Sequence, residues 1–276
     1  MTPIRQARAL PILMYHHVSP KPGLVTVSPQ TFRTQMGWLR DNDWHSVGGD
    51  ELSAFLEGKP LVEKSVMITF DDGYLDNWIH AHPVLQEYGL SAAIFLVTGW
   101  VGDGAARPHA VSSGSTPDCP NHKDCLAAIR SGATDQVIMN WQEVAAMREA
   151  GTAEFHSHTH THTRWDQRYP AGVERLTALA KDLADSRDTL NKRLGSASRH
   201  LCWPQGYYEP DYLAVAAGAG FDTLYTTDKR MIVPGCDRHR LGRVVVKDRS
   251  DGWFGRRVQL YASPFLGRLY TTLRGD

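Results

Sequence analysis

Residues 66–78 read VMITFDDGYLDNW. Val66 to Phe70 have strand character, and they run straight into two adjacent carboxylates, Asp71 and Asp72, and then Gly73. Helical residues follow over 77–88, and Gly89 stands where a helix C-terminus favours glycine. Neighbouring acids repel each other, so their placement at a strand end asks for a reason. Successive strand residues point to opposite sides, which predicts that one carboxylate faces a metal and the other a substrate. Asp-Asp-Gly alone is also an ordinary turn signal with exposed acids, so the rest of the chain has to decide.

The same alternation continues in both directions. Residues 11–15 (PILMY) read as a buried first strand, 29–42 as a helix begun at Ser28-Pro29, and 51–56 as a short helix. After the quoted stretch come a strand at 92–97, a helix at 140–150, a strand at 153–155 and a long helix at 174–194. The pattern ends with a strand at 200–203, a helix at 211–219 and strands at 223–226 and 243–247. Strand, helix, strand in sequence predicts parallel βαβ units, and their persistence predicts an α/β fold of the (β/α) barrel type. In such barrels the active residues sit at the C-terminal ends of the strands, where Asp71 and Asp72 fall. Residues 99–135, rich in Gly, Pro and Ser, read as a loop insertion at the open end. The expected organisation is one domain over 1–276, with that insertion and a C-terminal extension from about 251.

Composition narrows the function. The 276 residues are 42% hydrophobic, ample for one sizeable core. The 30 basic and 30 acidic residues cancel, and no run of one sign predicts a nucleic-acid surface. Thirteen histidines, several bunched, point to a metal site. The four cysteines are too few for a disulfide framework. Cys119 and Cys125, with His122 between them in CPNHKDC, are expected to be a loop disulfide or plain thiols, since two cysteines and one histidine do not close a structural zinc site. The first residues lack an apolar stretch of signal-peptide length and a small-residue cleavage site. The expectation is a cytoplasmic protein, with a trimmed secreted form as the alternative.

Three further stretches carry candidate chemistry. EFHSHTHTHT, residues 154–163, places histidines at 156, 158, 160 and 162. His158 and His162 share a face if their turn is helical. That pair plus one carboxylate has the three-ligand composition of catalytic zinc sites; the alternative is a polar His/Thr loop. LCWPQGYY, residues 201–208, has a turn at Pro204 and Gly206 and aromatic faces at Trp203, Tyr207 and Tyr208 that suit a sugar ring or an ordinary core. LMYHHV, residues 13–18, ends the first strand in His16 and His17, of which one is expected to face the barrel mouth as a proton donor.

Taken together these motifs resemble the polysaccharide deacetylase family, with its NodB homology domain (carbohydrate esterase family four). Thr69-Phe70-Asp71-Asp72-Gly73 is similar to the family's TFDDG motif, His158-Thr159 with His162 to its H-[ST]-x-x-H motif, and Trp203-Pro204-Gln205-Gly206-Tyr207 to its Pro-x-Gly turn. The opening PILMYHHVSP resembles the branch that includes poly-N-acetylglucosamine deacetylases. The resemblance runs from about residue 11 to about 247. It implies a distorted (β/α)7 barrel and a metal-dependent hydrolase that removes N-acetyl groups from amino sugars. It implies Asp71 as general base, Asp72, His158 and His162 as metal ligands, and His16 as general acid. Trp203, Pro204, Gly206 and Tyr207 would form the substrate groove, with the backbone N–H of Tyr207 at the oxyanion. Arg243 resembles the arginine of a late Pro-Arg motif that orients the base, although Gly242 replaces the proline. Two positions depart from the pattern: Cys202 stands where many relatives carry an arginine, and His156 where the residue is usually small.

The implied metal is Zn2+, with Ni2+ or Co2+ chemically open to the same ligands. The implied partner is an N-acetylated carbohydrate, and no nucleic acid. The rival reading on the same scaffold is a deformylase or other amide hydrolase acting on a lipid-linked amino sugar or a small cyclic amide. An amidohydrolase using His158 and His160 would leave Asp71 and Asp72 without a role, and a non-catalytic sugar-binding module would not need both base and ligands. The segment WFGRRVQLYASPFLGRLYTTLRGD, from Trp253, is expected to pack under the barrel or against a second copy, or to touch a membrane surface.

Overall fold

In the computed structural model, which describes residues 5–265, the predicted alternation curls into a barrel. Seven parallel strands form its wall: β1 (Ile12–Tyr15), β2 (Ser65–Asp72), β3 (Ala92–Leu96), β4 (Ala153–Ser157), β5 (His200–Cys202), β6 (Thr223–Tyr225) and β7 (Val244–Val245). Their spatial order is β7-β1-β2-β3-β4-β5-β6, and a short strand at His45–Ser46 pairs with β2. The two ends of the sheet meet through one segment. Leu241 bridges to Tyr225 of β6, and three residues later Val244 pairs with Leu13 of β1. This geometry is the distorted (β/α)7 barrel expected above.

Helices cover the outside: α1 (Pro29–Asp41), α2 (Gly49–Leu56), α3 (His82–Tyr88), α4 (His122–Arg130), α5 (Trp141–Glu149), α6 (Val173–Leu194), α7 (Tyr212–Gly218) and α8 (Asp251–Ala262). The larger part of the core lies between these helices and the sheet, with Phe32, Met36, Leu85, Val144 and Phe155 among its members. The barrel interior is a second cluster that includes Ile12, Met67, Phe95, Cys202, Tyr225 and Leu241. Below it runs a polar column. His156 Nδ1 pairs with Ser198 Oγ at 2.6 Å and its Nε2 with Glu154 Oε1 at 2.9 Å, while His200 Nδ1 pairs with Tyr225 Oη at 2.8 Å. Glu154 also accepts from the backbone N–H of Gly49, where α2 begins, at 2.6 Å. His156, the large residue at a usually small position, is thus a filler of the barrel floor.

Three local features differ from expectation, and the cysteines take the second of their two expected states. Asp71 and Asp72 lie inside β2, which runs two residues further than its apolar pattern. The helix after Gly73 opens with a π-turn over Asn77–Ala81 before α3. The 99–135 insertion is partly ordered as α4 and is anchored by Arg107, whose Nε and Nη2 reach buried Glu143 at 2.7 and 2.6 Å. All four cysteines are free thiols. The C-terminal extension forms α8, which buries Phe254, Val258 and Tyr261. Its neighbour is α1, where Trp38 meets the Phe254 ring edge-on at 5.9 Å between centroids. The segment expected to pack under the barrel, against a second copy or at a membrane surface thus packs its apolar face against α1 over 251–262, while residues 266–276 lie outside the described residues. No helix among the described residues is long and apolar enough to cross a membrane.

If α8 is part of the barrel's cover, removing its anchor should unfold more than a tail. Phe254→Ala is expected to cost about 3–5 kcal/mol, read as a lower urea midpoint with unchanged m-value. A loss below about 1 kcal/mol would place Phe254 outside the cooperative core.

Candidate active site

Both carboxylates reach the same cleft because the backbone breaks strand alternation. Asp72 has φ +73° and Gly73 φ +78°, two left-handed residues in succession. An Asp tolerates that region better than most residues. At Gly73 a Cβ would meet Leu96 Cδ2 at 2.6 Å, so the position requires glycine on both counts. The opposite-face expectation is corrected accordingly: Asp71 and Asp72 both approach His158.

Asp71 is gripped by Arg243. Nη1 donates to Oδ1 at 2.6 Å and Nη2 to Oδ2 at 2.8 Å. The guanidinium is 1% exposed, and its remaining donors go to the Thr226 carbonyl, Thr69 Oγ1 and Cys202 Sγ at 3.0, 3.3 and 3.1 Å. Burial alone would raise the Asp71 carboxyl, but Arg243 and His16 outweigh it and bring it down to about 2. The arginine absent at Cys202 is thus supplied from the segment that closes the barrel, and Cys202 provides the space and a sulfur acceptor. Gly242 before it is explained by crowding: a Cβ there would meet the Asp228 carbonyl and the Arg230 N–H at 2.5 Å.

Asp72, His158 and His162 form a tight group. The Nε2 atoms of both histidines lie 3.4 Å from Asp72 Oδ1. That buried oxygen has no hydrogen-bond partner. His158 Nδ1 donates to the Cys202 carbonyl at 2.7 Å, which turns its Nε2 toward the group. An orphaned carboxylate oxygen and a tautomer fixed from behind fit a divalent cation held by these three residues. Burial would raise the Asp72 carboxyl, yet His162 and His158 hold it well below the usual carboxylate range.

The turn carrying the histidines is not helical. Thr159 and His162 have φ of +66° and +58°. It is braced instead from α6: Asp182 Oδ1 accepts from the backbone N–H groups of His160 and Thr161 at 3.1 and 2.9 Å, and its Oδ2 from Trp165 Nε1 at 3.0 Å. Thr159 Oγ1 accepts from the His162 N–H at 3.0 Å. His160 turns aside to Thr98 Oγ1, 2.9 Å from its Nδ1. Asp182 escaped the sequence reading because it sits inside an ordinary helical pattern, and only its burial reveals it.

His16 Nε2 lies 3.6 Å from Asp71 Oδ2, and burial lowers its pKa against the pull of the two carboxylates. His17 points elsewhere, into full burial against Asp76. The third motif differs most from its expected role. Trp203 is 1% exposed and stacks on Tyr208 at 5.9 Å, so it packs beneath the site and offers no groove face. Pro204 is buried beside it, and Gly206 has φ +72° with no room for a Cβ against the Thr227 backbone. Of the four expected groove residues Tyr207 alone is exposed, with the Arg164 guanidinium 3.8 Å over its ring. Its backbone N–H already donates to the Pro204 carbonyl at 3.2 Å, which removes it as the expected oxyanion donor.

Comparison with known proteins came to the same region. A family model described as polysaccharide deacetylase matches residues 58–224. YxkH of Bacillus subtilis, whose name assigns it to the polysaccharide deacetylases, is 29% identical over 88% of this chain and 73% of its own. The poly-beta-1,6-N-acetyl-D-glucosamine N-deacetylase of Staphylococcus epidermidis is 24% identical over 81% of this chain and 68% of its own. Among solved structures, IcaB from Ammonifex degensii superposes with a TM-score of 0.72 at 24% identity, covering 94% of this chain and 99% of its own.

Replacing Arg243 with Met should strand a buried carboxylate and cost about 3–5 kcal/mol at neutral pH. In the wild type the depressed Asp71 pKa contributes stability above the ordinary value of 3.8, which is lost as pH falls toward about 2. In Arg243→Met the carboxyl is buried without its cation and the contribution reverses. The stability gap between the two proteins should therefore be widest above about pH 5 and shrink on acidification. Parallel urea-denaturation curves from pH 7 to pH 3 measure it, and a gap independent of pH would remove Asp71 as Arg243's partner in stability.

Proposed function

Because the chain belongs to the polysaccharide deacetylase family, whose model matches more than half of it, we propose that it is a metal-dependent N-deacetylase. Its substrate would be an N-acetylated amino sugar within a polysaccharide, and its products the free amine and acetate. The observation that carries this reading is the pairing of two sites on adjacent residues: an orphaned Asp72 oxygen 3.4 Å from two histidines, beside an Asp71 kept ionised by Arg243. The relative from Staphylococcus epidermidis, named for poly-beta-1,6-N-acetyl-D-glucosamine, points to that polymer as the first substrate to try.

Asp72, His158 and His162 would hold the cation, and two imidazoles with one carboxylate favour Zn2+, with Ni2+ or Co2+ also accommodated. When bound, such a cation polarises the acyl carbonyl and acidifies water. The remaining work falls to the chain's own side chains. Asp71, a weak base, accepts the proton of the attacking water, and the Arg243 fork fixes the direction of its lone pairs. His16, 3.6 Å from Asp71 Oδ2, takes up the proton that Asp71 has accepted from water and delivers it to the amine as the C–N bond breaks. Exposed Tyr207, with half-buried Arg164 over its ring, would offer a polar rim to the hydroxyls of a sugar.

Acetate release from β-1,6- and β-1,4-linked N-acetylglucosamine oligomers tests the reading directly. Stripping the protein with a chelator is expected to abolish turnover and added zinc to restore it. Asp71→Asn should lower kcat about 10²–10⁴-fold while retaining bound metal. Full activity after complete metal removal, or unchanged turnover in Asp71→Asn, would overturn the assignment.

A further inference from the structure

The doublet His16-His17 divides between two tasks. His16 faces Asp71, while His17 turns away, fully buried, with its ring stacked on Tyr74 at 3.8 Å between centroids. Its Nδ1 lies 2.6 Å from Asp76 Oδ2. The other Asp76 oxygen accepts from the Val18 N–H and from Asn77 Nδ2, at 3.2 and 2.9 Å. Asp76 is therefore fixed by three donors and orients His17 as the carboxylate partner of a histidine usually does. At its far side His17 Nε2 meets His122 Nδ1 at 3.1 Å.

His122 comes from the insertion, as the first residue of α4. The insertion is tied to the end of β1 at this point: Ser19 Oγ donates to the Cys119 carbonyl at 3.3 Å, and Lys21 Nζ reaches Asp118 at 2.5 Å. The His122 ring is half-buried and stands edge-on to Tyr74, two residues beyond Asp72, at 6.1 Å. It lies outside the compact Asp72–His158–His162 group. Its Nε2 has no protein partner among the described residues and is not sealed from solvent. Whichever imidazole carries the shared proton, one nitrogen of His122 is locked and the other is left for a ligand. A sugar hydroxyl suits it in either state, since a hydroxyl both donates and accepts.

We propose that His122 is a substrate-positioning residue, held by the Asp76–His17 pair, whose Nε2 hydrogen-bonds a hydroxyl of the sugar chain beside the scissile acetamide. The proposal rests on the N-deacetylase reading above and deepens it: the insertion would supply a specificity contact for the polysaccharide. Phe at position 122 keeps the ring's bulk and removes its polarity. A hydrogen bond realised equally in the bound and transition states acts on KM. His122→Phe should therefore raise KM for an N-acetylglucosamine oligomer about 5–20-fold with kcat within about twofold. His122→Gln, which can still donate and accept, should recover most of the loss. His17→Phe should reproduce the KM increase with zinc content unchanged, because it frees the His122 ring. Steady-state kinetics with metal analysis on each variant decide the matter. An unchanged KM in His122→Phe, or a fall in kcat accompanied by zinc loss, overturns the positioning role while leaving the deacetylase reading intact. A wild-type protein that releases no acetate from any N-acetylated oligomer overturns both.

Discussion

A guanidinium buried to 1% exposure and a carboxylate inside the barrel wall hold each other across the mouth of this fold. Desolvating either charge alone would cost several kcal/mol, and the pair is tolerable only because every strong donor of Arg243 is used. Two of those donors go to Asp71, and the rest to Thr226, Thr69 and Cys202. The contact also has a topological requirement. Arg243 stands between Leu241, bridged to β6, and Val244, paired with β1, so the arginine reaches Asp71 only when the sheet has closed. Barrel closure and the pairing of Asp71 with Arg243 are thus coupled through one segment.

The same pair resolves the electrostatic liability of two adjacent acids. Asp71 has its own fixed cation. Asp72 has two imidazoles, whose Nε2 atoms face its Oδ1. The carboxylates converge through two left-handed residues, yet each meets a separate partner. Cys202 serves both, since its sulfur accepts from Arg243 and its carbonyl orients His158. A side chain as large as arginine at position 202 would compete with the one already delivered from 243, so the departure at 202 and the presence of Arg243 are two halves of one packing solution.

Much of this was legible in the chain. Alternating strands and helices predicted the barrel because parallel strands need covered crossovers, and TFDDG with the spaced histidines predicted which side chains converge. What was hidden depended on tertiary context. Strand alternation misplaced Asp72, since a positive φ cannot be read where a non-glycine adopts it. Helical spacing misread the 158–162 turn for the same reason, and Asp182, which braces it, looks like any polar residue of a long helix. Trp203 advertised an aromatic face that the fold spends on packing with Tyr208 and Tyr212. The 99–135 stretch lacked periodicity, although it contains α4, because its order comes from anchors such as Arg107 on Glu143.

The family-matched segment, 58–224, contains the whole Asp72–His158–His162 group and excludes His16, His17 and Arg243. This division has a physical basis. Asp72, His158 and His162 stand at the ends of β2 and β4, which are both neighbours of β3 in the sheet, so local turns suffice to bring them together. The partners of Asp71 come from the end of β1 and from the segment leading into β7, the two strands that join the ends of the sheet. The Asp72 group therefore needs only two strand ends and their turns, whereas the Asp71 pair needs the sheet to close, and Cys202 leaves the space into which Arg243 is delivered.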